Sequence, residues 1–274
     1  MNKKVSSFLI HLELIVMALL ILLPICWIIL SSFQAGSGLA SSSFIPDKLT
    51  SDNYTRLFRE TQYAHWFVNS FEIALLNAVV SVLLIVIAAW IFSRFNFKGR
   101  KVSLMTILLL SMFPTFLSMT AYYTLFLNFN LLDQPLALVI IYVSSALPFN
   151  IWLVKGYLDG ISKEIDEAAY IDGCGYFTTF FRIILPLSRP IITYCAVSQF
   201  MVPWMDYILP NFLLSDDKNI TLALGLFNMI SGKENSNFTM FAAGSILIAV
   251  PITILFLLFQ KYLVQGIASG ANKG

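Results

Sequence analysis

The chain has 274 residues, of which 58% are hydrophobic and 12% are charged, and its mean hydropathy is +0.79. Soluble domains usually carry about twice that charged fraction, so the composition excludes an ordinary soluble domain and indicates an integral membrane protein with helical spans. A net charge of +2 is too small to suggest nucleic acid, and three scattered cysteines, Cys26, Cys174 and Cys195, form neither a disulfide framework nor a metal cluster.

Six apolar segments are long enough to cross a bilayer as α-helices. They fall at about residues 8–30, 73–92, 102–127, 136–154, 191–214 and 241–259. All but the second contain an interior proline, and each proline predicts a kink: Pro24, Pro114, Pro148, Pro203 and Pro251. We expect the first segment to remain as an uncleaved span, because no small-residue cleavage site precedes its end. The prediction is a single all-α membrane domain over residues 1–274.

Orientation follows from the basic residues between the spans. With the N-terminus in the cytoplasm, the inner segments hold 12 of the 17 Lys and Arg residues: Lys3, Lys4, Arg94, Lys98, Arg100, Lys101, Lys155, Lys163, Arg182, Arg189, Lys261 and Lys273. The outer segments hold the others: Lys48, Arg56, Arg59, Lys218 and Lys233. We therefore expect both termini and the segment 156–190 to lie in the cytoplasm.

This segment between the fourth and fifth spans is too polar, and too broken by Gly and Pro, to cross the bilayer. Ser162 is the predicted N-cap of a short helix with acidic residues in its first turn. Gly173 and Gly175 are predicted to end that helix in the left-handed conformation. A second, aromatic helix is predicted over 176–185, with Pro186 ending it. The first helix is predicted to place three residues on one face: Ile165, Ala168 and Ala169. Spacing alone also fits two amphipathic helices that rest on the membrane surface.

The same segment resembles a signature of bacterial ABC importer permeases: E-A-A, three residues, G, nine residues, I-x-L-P. In this chain the run of Glu167, Ala168 and Ala169 precedes Gly173 by three residues, and the run from Ile183 to Pro186 follows after nine more. The resemblance implies a type I ABC importer permease fold of six transmembrane helices, whose coupling helix docks on an ATPase subunit. The residues implied in ATPase coupling are Glu167, Ala168, Ala169, Asp172, Gly173, Ile183, Leu185 and Pro186.

The C-terminal stretch, VPITILFLLFQKYLVQGIASGANKG, is similar to the end of carbohydrate permeases of the maltose/maltodextrin type. That subfamily inserts a glycine-rich tail between its two ATPase subunits. The resemblance therefore implies a second ATPase contact through Gly270, Lys273 and Gly274. The chain departs from the subfamily at Met205, where many relatives carry asparagine after the tryptophan.

Two outer segments are long, 31–69 and 215–240. The first predicts a turn and a short amphipathic surface helix. The middle of the second, 221–229, is apolar enough to lie against the other helices or to enter a partner's groove. The resemblance implies that this second segment contacts an extracellular or periplasmic solute-binding protein, and the candidate residues are Asp216, Asp217, Gly232 and Lys233.

Polar and aromatic side chains inside the spans are the candidates for a substrate path: Asn77, Asn150, Gln199, Trp204, Asp206 and Tyr207. An intramembrane carboxylate is a functional candidate because burying it in lipid is costly. Asp206 also fits a structural role, since it lies in the outer third of its span. Amides equally serve as interhelical hydrogen-bond partners, and Tyr and Trp populate interfacial belts.

The chain has no phosphate-cradling GxxxxGK[ST] loop and no HExxH or GxSxG motif, so we expect no ATPase site, cofactor or metal in it. The resemblance implies the permease subunit of a carbohydrate ABC importer in the bacterial cytoplasmic membrane, moving maltose/maltodextrin or a related oligosaccharide. Galacto- or raffinose-type sugars and a glycerol-phosphate-like solute are alternatives. The implied partners are a second permease, two ATPase subunits that bind ATP and Mg²⁺, and the solute-binding protein. A stand-alone secondary transporter or channel is the alternative of another class, although the spans hold few charges for an ion relay.

Overall fold

The structure is a computed structural model that describes the backbone of residues 3–36, 45–46, 48–231 and 237–271, and their side chains except those of 3–6, 115 and 263–271. Thirteen α-helices follow one another in these ranges: α1 (Lys3–Ser32), α2 (Asp52–Glu60), α3 (Tyr63–Arg94), α4 (Arg100–Ser111), α5 (Met119–Asn128), α6 (Pro135–Leu158), α7 (Glu164–Ile171), α8 (Tyr176–Thr179), α9 (Leu185–Leu187), α10 (Arg189–Met205), α11 (Ile208–Leu213), α12 (Leu222–Ser231) and α13 (Phe238–Ala271). A 3₁₀ turn, Thr115–Ser118, precedes α5, and a π-helical turn, Phe180–Ile184, joins α8 to α9. In the described ranges, extended backbone pairs as an isolated bridge between Gln34 and Leu49.

Four of the described helices are long and apolar enough to cross a membrane: α1, α3, α6 and α13. Two further pairs pass the same test of length and apolarity when each is taken as one bent span, which raises the number to six. The predicted all-α membrane architecture is confirmed.

The third predicted span, 102–127, is interrupted at Pro114. The helical segments on either side, Arg100–Ser111 and Phe116–Asn128, are bent by 85°. Pro114 has extended backbone at the start of the 3₁₀ turn, and a proline has no N–H with which to continue the hydrogen-bond ladder of α4. The other four prolines lie inside helices that continue past them: Pro24, Pro148, Pro203 and Pro251.

The fifth predicted span, 191–214, is not one continuous helix. Helix α10 ends at Met205, Asp206 has extended backbone (φ −78°, ψ 131°), and α11 begins at Ile208. The Asp206 carboxylate oxygen Oδ1 accepts the N–H of Ile208 at 2.8 Å, so the side chain caps the new helix. At the start of α10, the helical segment Tyr176–Leu187 and the segment Arg189–Met205 are bent by 78°.

The last helix is longer than predicted at both ends. Helix α13 begins at Phe238 and continues to Ala271, through Gly266 and Gly270, whereas the sequence predicted a span over 241–259 and a separate glycine-rich tail. A glycine costs a helix only about 1 kcal/mol relative to alanine, and no proline follows Pro251 to stop it. Lys273 and Gly274, two of the predicted tail contacts, lie outside the described residues.

The chain divides into two compact units, one formed by Met1–His65 with Gly225–Pro251 and the other by Trp66–Leu224 with Ile252–Gly274. The single domain over 1–274 stays a prediction. In the second unit, one apolar cluster packs α3, α5, α6 and α11 around Ile73, Tyr142 and Leu209. Another packs the later halves of α3 and α6 with the π-helical turn and α10, around Trp90 and Phe180.

In the first unit, α2 is fixed against the end of α1. The buried Asn53 amide donates to the carbonyl oxygens of Ser32 at 2.9 Å and Gln34 at 2.8 Å. Leu57 is buried on the same side, while Arg59 is exposed. The amphipathic helix predicted in segment 31–69 is therefore present as α2.

Candidate functional site

The short helix predicted before Gly173 is α7, and it ends in the predicted left-handed glycine. Gly173 has φ +86°, its N–H donates to the Tyr170 carbonyl at 3.1 Å, and the Cys174 N–H donates to the Ala169 carbonyl at 2.9 Å. These are the two hydrogen bonds of a Schellman cap, which needs a left-handed residue at this position. At the start of the helix, the residue before α7 is Lys163 and not the predicted Ser162, whose Oγ accepts the Glu164 N–H at 3.3 Å.

Two further details of this segment differ from the prediction. Gly175 has φ −77° and is the residue before α8, so it is not a left-handed terminator. The aromatic helix does not end at Pro186 but one residue later, after the π-helical turn, and the Ser188 N–H closes it on the Ile184 carbonyl at 3.0 Å. Proline is tolerated there because it stands at the start of the three-residue helix α9.

Helix α7, the turn after it and the start of α8, together residues 164–177, form a corner that we call the α7 corner. Its outward face is apolar as well as acidic. Ile171 is 87% exposed and Phe177 is 78% exposed, next to the exposed Glu167 and Ala168. The three residues predicted on one face differ in burial: Ala169 is buried, whereas Ile165 and Ala168 are exposed. Helix α7 belongs to the second unit, and its buried residues are Asp166 and Ala169. Exposed apolar residues on a polar segment mark a protein contact surface.

The two halves of the E-A-A…G…I-x-L-P signature have different surroundings. Glu167, Ala168, Asp172 and Gly173 are exposed on the α7 corner, and Ala169 is buried beneath it. Ile183, Leu185 and Pro186 are half-buried on the π-helical turn and α9. Leu185 also lines an apolar groove of 610 Å³ together with residues of α3, α10 and α13. The first half is thus available to a partner, and the second half joins the corner to the membrane helices.

Arg94, the last residue of α3, holds α7 in place. Its Nε lies 2.8 Å from Asp166 Oδ2, and the two side chains are 5% and 6% exposed. Its Nη1 and Nη2 donate to the carbonyl oxygens of Leu158 at 3.0 Å and Ile161 at 3.1 Å, at the end of α6. One guanidinium therefore joins α3, the end of α6 and α7.

Polar and aromatic contacts surround this joint. Ser93 Oγ donates to Asp159 Oδ1 at 2.7 Å, and Lys155 Nζ donates to Asp159 Oδ2 at 2.6 Å. Ring contacts run from Tyr170 of α7 to Tyr176 at 5.1 Å, and from Tyr176 to Phe95 at 5.4 Å. Burial, and to a smaller degree the Asp166 carboxylate, raise the pKa of the Tyr170 phenol.

Sequence reasoning did not assign this joint. It counted Arg94 only as an inner basic residue and Asp166 only as an acid in the first turn of a helix. An Arg at the end of a span and an Asp beside the E-A-A run are visible in the sequence, but nothing in their spacing pairs them. The contact depends on how α3 and α7 pack.

The six candidates for a substrate path are buried or half-buried in the second unit. The Asn77 amide donates to the Gln199 carbonyl at 2.6 Å, and the Asn150 amide donates to the Ala146 carbonyl of its own helix at 2.8 Å. Trp204 is fully buried and packs on Phe200 at 5.4 Å. The two asparagine amides are therefore used in helix packing and within a helix.

Asp133, in the turn between α5 and α6, anchors the second outer segment. Its Oδ1 accepts the N–H of Ser215 at 2.8 Å and of Asp216 at 3.0 Å, and its carbonyl accepts the Asn219 amide at 2.6 Å. Ser70 Oγ accepts the Leu222 N–H at 2.7 Å. Asp217 is exposed, and the candidate contacts Gly232 and Lys233 lie outside the described residues.

The apolar middle of this segment, predicted at 221–229, lies largely against other helices: Leu222, Leu224 and Leu226 are buried, and Phe227 is exposed. The sequence left two alternatives for this stretch, packing against other helices or entry into a partner's groove. In the structure its leucines pack within the chain. Among the described residues, no group of three His, Cys, Asp or Glu side chains is placed to hold a metal ion.

These features define a polytopic helical membrane protein with an exposed helical corner between two spans. The chain belongs to the family described as the binding-protein-dependent transport system inner membrane component, which matches residues 81–269.

Two relatives cover nearly the whole chain. The maltodextrin transport system permease protein MalD of Streptococcus pneumoniae is 39% identical, over 100% of this chain and 98% of its own length. The galactooligosaccharides transport system permease protein GanQ of Bacillus subtilis is 38% identical, over 96% and 94%. Among solved structures, a bacterial ABC transporter involved in alginate import matches with a TM-score of 0.84 at 22% identity, over 95% of this chain and 97% of that one. That likeness supports the type I permease fold.

Proposed function

We propose that this chain is the membrane-spanning permease subunit of an ABC importer for oligosaccharides, and that malto-oligosaccharides are its substrate class. The observation that carries the proposal is similarity over the full length to maltodextrin permeases, at 39% identity to MalD and also to MdxG of Bacillus subtilis. Galacto-oligosaccharides are the second candidate, because GanQ is 38% identical.

The exposed α7 corner is the proposed docking surface for an ATPase subunit. Glu167, Ile171 and Phe177 supply a charge and two apolar side chains on one protruding corner. Interface hot spots combine apolar anchors with a few charged contacts. The chain itself then hydrolyses no ATP and binds no cofactor, and ATP and Mg²⁺ are held by the partner subunits.

The remaining partners of the complex are a second permease and an external solute-binding protein. The segment around Asp216, Asp217, Gly232 and Lys233 is the proposed contact with the binding protein. Gly270, Lys273 and Gly274 are the proposed second contact with the ATPases, and of these Gly270 lies in the last turn of α13. The membrane is the bacterial cytoplasmic membrane, with both termini inside, because 12 of the 17 basic residues fall on that side.

Reconstitution tests the substrate class. The chain is assembled in proteoliposomes with its sister permease, ATPases and binding protein, and uptake of labelled maltotriose and of a labelled galactotriose is compared. We expect ATP-dependent uptake of maltotriose. Uptake of the galactotriose alone would establish the second candidate, and ATP-independent uptake would contradict the importer assignment.

Two substitutions test the docking surface: Glu167→Lys and Ile171→Ser. Each should weaken ATPase binding by about tenfold or more, as expected for a hot-spot residue. Abundance in the membrane should be unchanged because both residues are exposed. Glu60→Lys on α2 is the matched charge reversal outside the surface and should bind the ATPase normally. Wild-type ATPase affinity in both α7 variants would place the docking surface elsewhere.

A further inference from the structure

The connections of α7 to the chain are short corners that contain glycine. Gly160 stands between α6 and α7, and Gly173, with φ +86°, follows α7 after Asp172. Eight residues between two such corners could pivot relative to the spans, because glycine permits backbone conformations that other residues avoid. A docking movement applied to α7 would then be lost in the corners unless side chains hold the helix.

We propose that Arg94 is a positioning residue that makes α7 move as one body with the adjoining ends of α3 and α6. This inference rests on the proposed function, in which α7 receives the ATPase movement. Arg94 acts through Asp166 and the carbonyl oxygens of Leu158 and Ile161, and it does not touch the substrate or the ATPase.

The burial of the pair supports a geometric role. Breaking a buried ion pair by removing one partner is strongly destabilising, yet replacing the whole pair by apolar residues is often neutral, so a buried pair is weak evidence for added stability, and the role assigned to this one is positional. Asp166 Oδ1, Asp166 Oδ2 and Arg94 Nε are all buried without a hydrogen bond in the described part of the chain, so the 2.8 Å approach of Nε to Oδ2 is a contact between opposite charges. Arg94 is therefore the compensating charge that keeps this carboxylate, and with it α7, in one position.

The shape of the arginine side chain matters as much as its charge. A guanidinium presents five N–H donors in a planar fork, whereas a lysine ammonium is a single point charge on a flexible stem. Arg94 places Nε in charge contact with Asp166, while its two terminal nitrogens donate to two carbonyl oxygens. A lysine could pair with Asp166 but could not hold the end of α6 at the same time.

The first experiment measures ATP hydrolysed per sugar imported in reconstituted complexes. Arg94→Gln, Arg94→Lys and Asp166→Asn should each lower transport by roughly twofold to thirtyfold, the range for residues that modulate coupling, while hydrolysis falls less. The ratio of hydrolysis to transport then rises. Arg100→Gln is the matched control: Arg100 also donates to a carbonyl, that of Phe92 at 2.8 Å, but has no bond to α7. Its ratio should equal that of the wild type.

The second experiment replaces the joint by a covalent link. Asn96 and Lys163 line the same 240 Å³ cleft as Arg94 and Asp166. Both are replaced by cysteine in a variant in which the native cysteines have been changed to serine: Cys26, Cys174 and Cys195. A short bifunctional thiol reagent then joins the α3 end to the α7 start. We expect the linked wild-type joint to transport within about twofold of the unlinked protein. The same link should restore a normal hydrolysis-to-transport ratio to Arg94→Gln.

The inference is overturned by transport that stops when the link forms, which means that α7 must move relative to α3, or by a normal ratio in unlinked Arg94→Gln. A linked Arg94→Gln that stays uncoupled also contradicts it. Failure of the proposed function looks different, because the unmodified complex would then import none of the oligosaccharides tested.

Discussion

The Tyr142 hydroxyl donates a hydrogen bond to Asp206 Oδ2 at 2.8 Å, linking α6 to the break between α10 and α11. The other carboxylate oxygen accepts the N–H of Ile208 at 2.8 Å. Both oxygens of the acidic residue in this span are thus used within the chain. The position that the sequence marked as a candidate for the substrate path is, in the structure, the cap of α11.

Replacing Asp206 separates the two roles. Asp206→Ala should destabilise the protein by about 1–2 kcal/mol, since it removes a helix cap and leaves the buried hydroxyl of Tyr142 without its acceptor. Asp206→Asn keeps an oxygen for the cap and should be close to wild type in thermal unfolding in detergent and in the KM for sugar uptake. A large change of KM in the asparagine variant, with unchanged stability, would return Asp206 to the substrate path.

Gly173 and Gly175 form a natural pair for testing the α7 corner. Gly173→Ala forces a side chain into φ +86°, which costs roughly 1–2 kcal/mol and loosens the Schellman cap. Gly175→Ala meets no neighbouring atom and has φ −77°, where alanine is unstrained. We expect the first variant to weaken ATPase binding several-fold and the second to bind normally. Equal binding by both variants would show that the left-handed cap does not shape the docking surface.

Residue patterns predicted the helical class and most of the spans, because each span is a long apolar run whose length the bilayer sets. They also located the Pro114 break and the Gly173 cap, since both depend on the backbone chemistry of one residue. Prediction failed where a partner from another helix decides the outcome. The chain breaks at Asp206 because the carboxylate caps α11 and meets Tyr142, and no local pattern announces that pairing.

The same reason explains the different burial of two neighbouring alanines in α7. Ala168 and Ala169 are chemically alike, but the Arg94 contact with Asp166 fixes which side of α7 faces the spans, and only Ala169 is buried. The end of α13 was missed for a different reason: two glycines lower helix stability without forbidding a helix, and their cost is small beside that of a proline.

The hydrogen bonds of Asp133 predict how strongly the second outer segment resists proteolysis. Asp133→Ala removes the acceptor for the Ser215 and Asp216 N–H groups and also forces alanine into φ +60°, so limited proteolysis should cut this segment several-fold faster. Asp133→Asn keeps an oxygen acceptor in a residue that tolerates this backbone, and should be cut at nearly the wild-type rate.

Asp217→Ala is the control for the anchor, because Asp217 is exposed. Its proteolysis rate should not change, whereas stimulation of ATP hydrolysis by the binding protein should fall if the segment makes the proposed contact. The Asn69 amide also donates to this segment, to the carbonyl oxygens of Lys218 at 2.8 Å and Ile220 at 3.0 Å. Unchanged proteolysis in Asp133→Ala would mean that the Asn69 and Ser70 contacts hold the segment without Asp133.

Gly244, inside α13 in the first unit, lies where α12 and Tyr63 come close. A Cβ at this position would overlap Leu226 Cδ2 and lie 3.4 Å from Tyr63 Cε2, and the Gly244 carbonyl accepts the Tyr63 hydroxyl at 3.3 Å. Leu226 is buried, so its side chain has little room to turn away. Overfilling a packed site of this kind costs about 1–3 kcal/mol.

Gly244→Ala should therefore lower the thermal unfolding midpoint in detergent, even though alanine favours a helix more than glycine does. In the matched substitution Gly156→Ala in α6, the new Cβ meets no atom within 4 Å. The unfolding midpoint should stay unchanged or rise, because alanine adds up to about 1 kcal/mol to the stability of a helix relative to glycine. Shortening the obstructing side chain, in the double variant Gly244→Ala with Leu226→Ala, should cost less than the two single changes added together, because the new methyl group fills part of the space that Leu226 leaves. If the two costs simply add, the close approach of α12 to Gly244 does not set the packing of this unit.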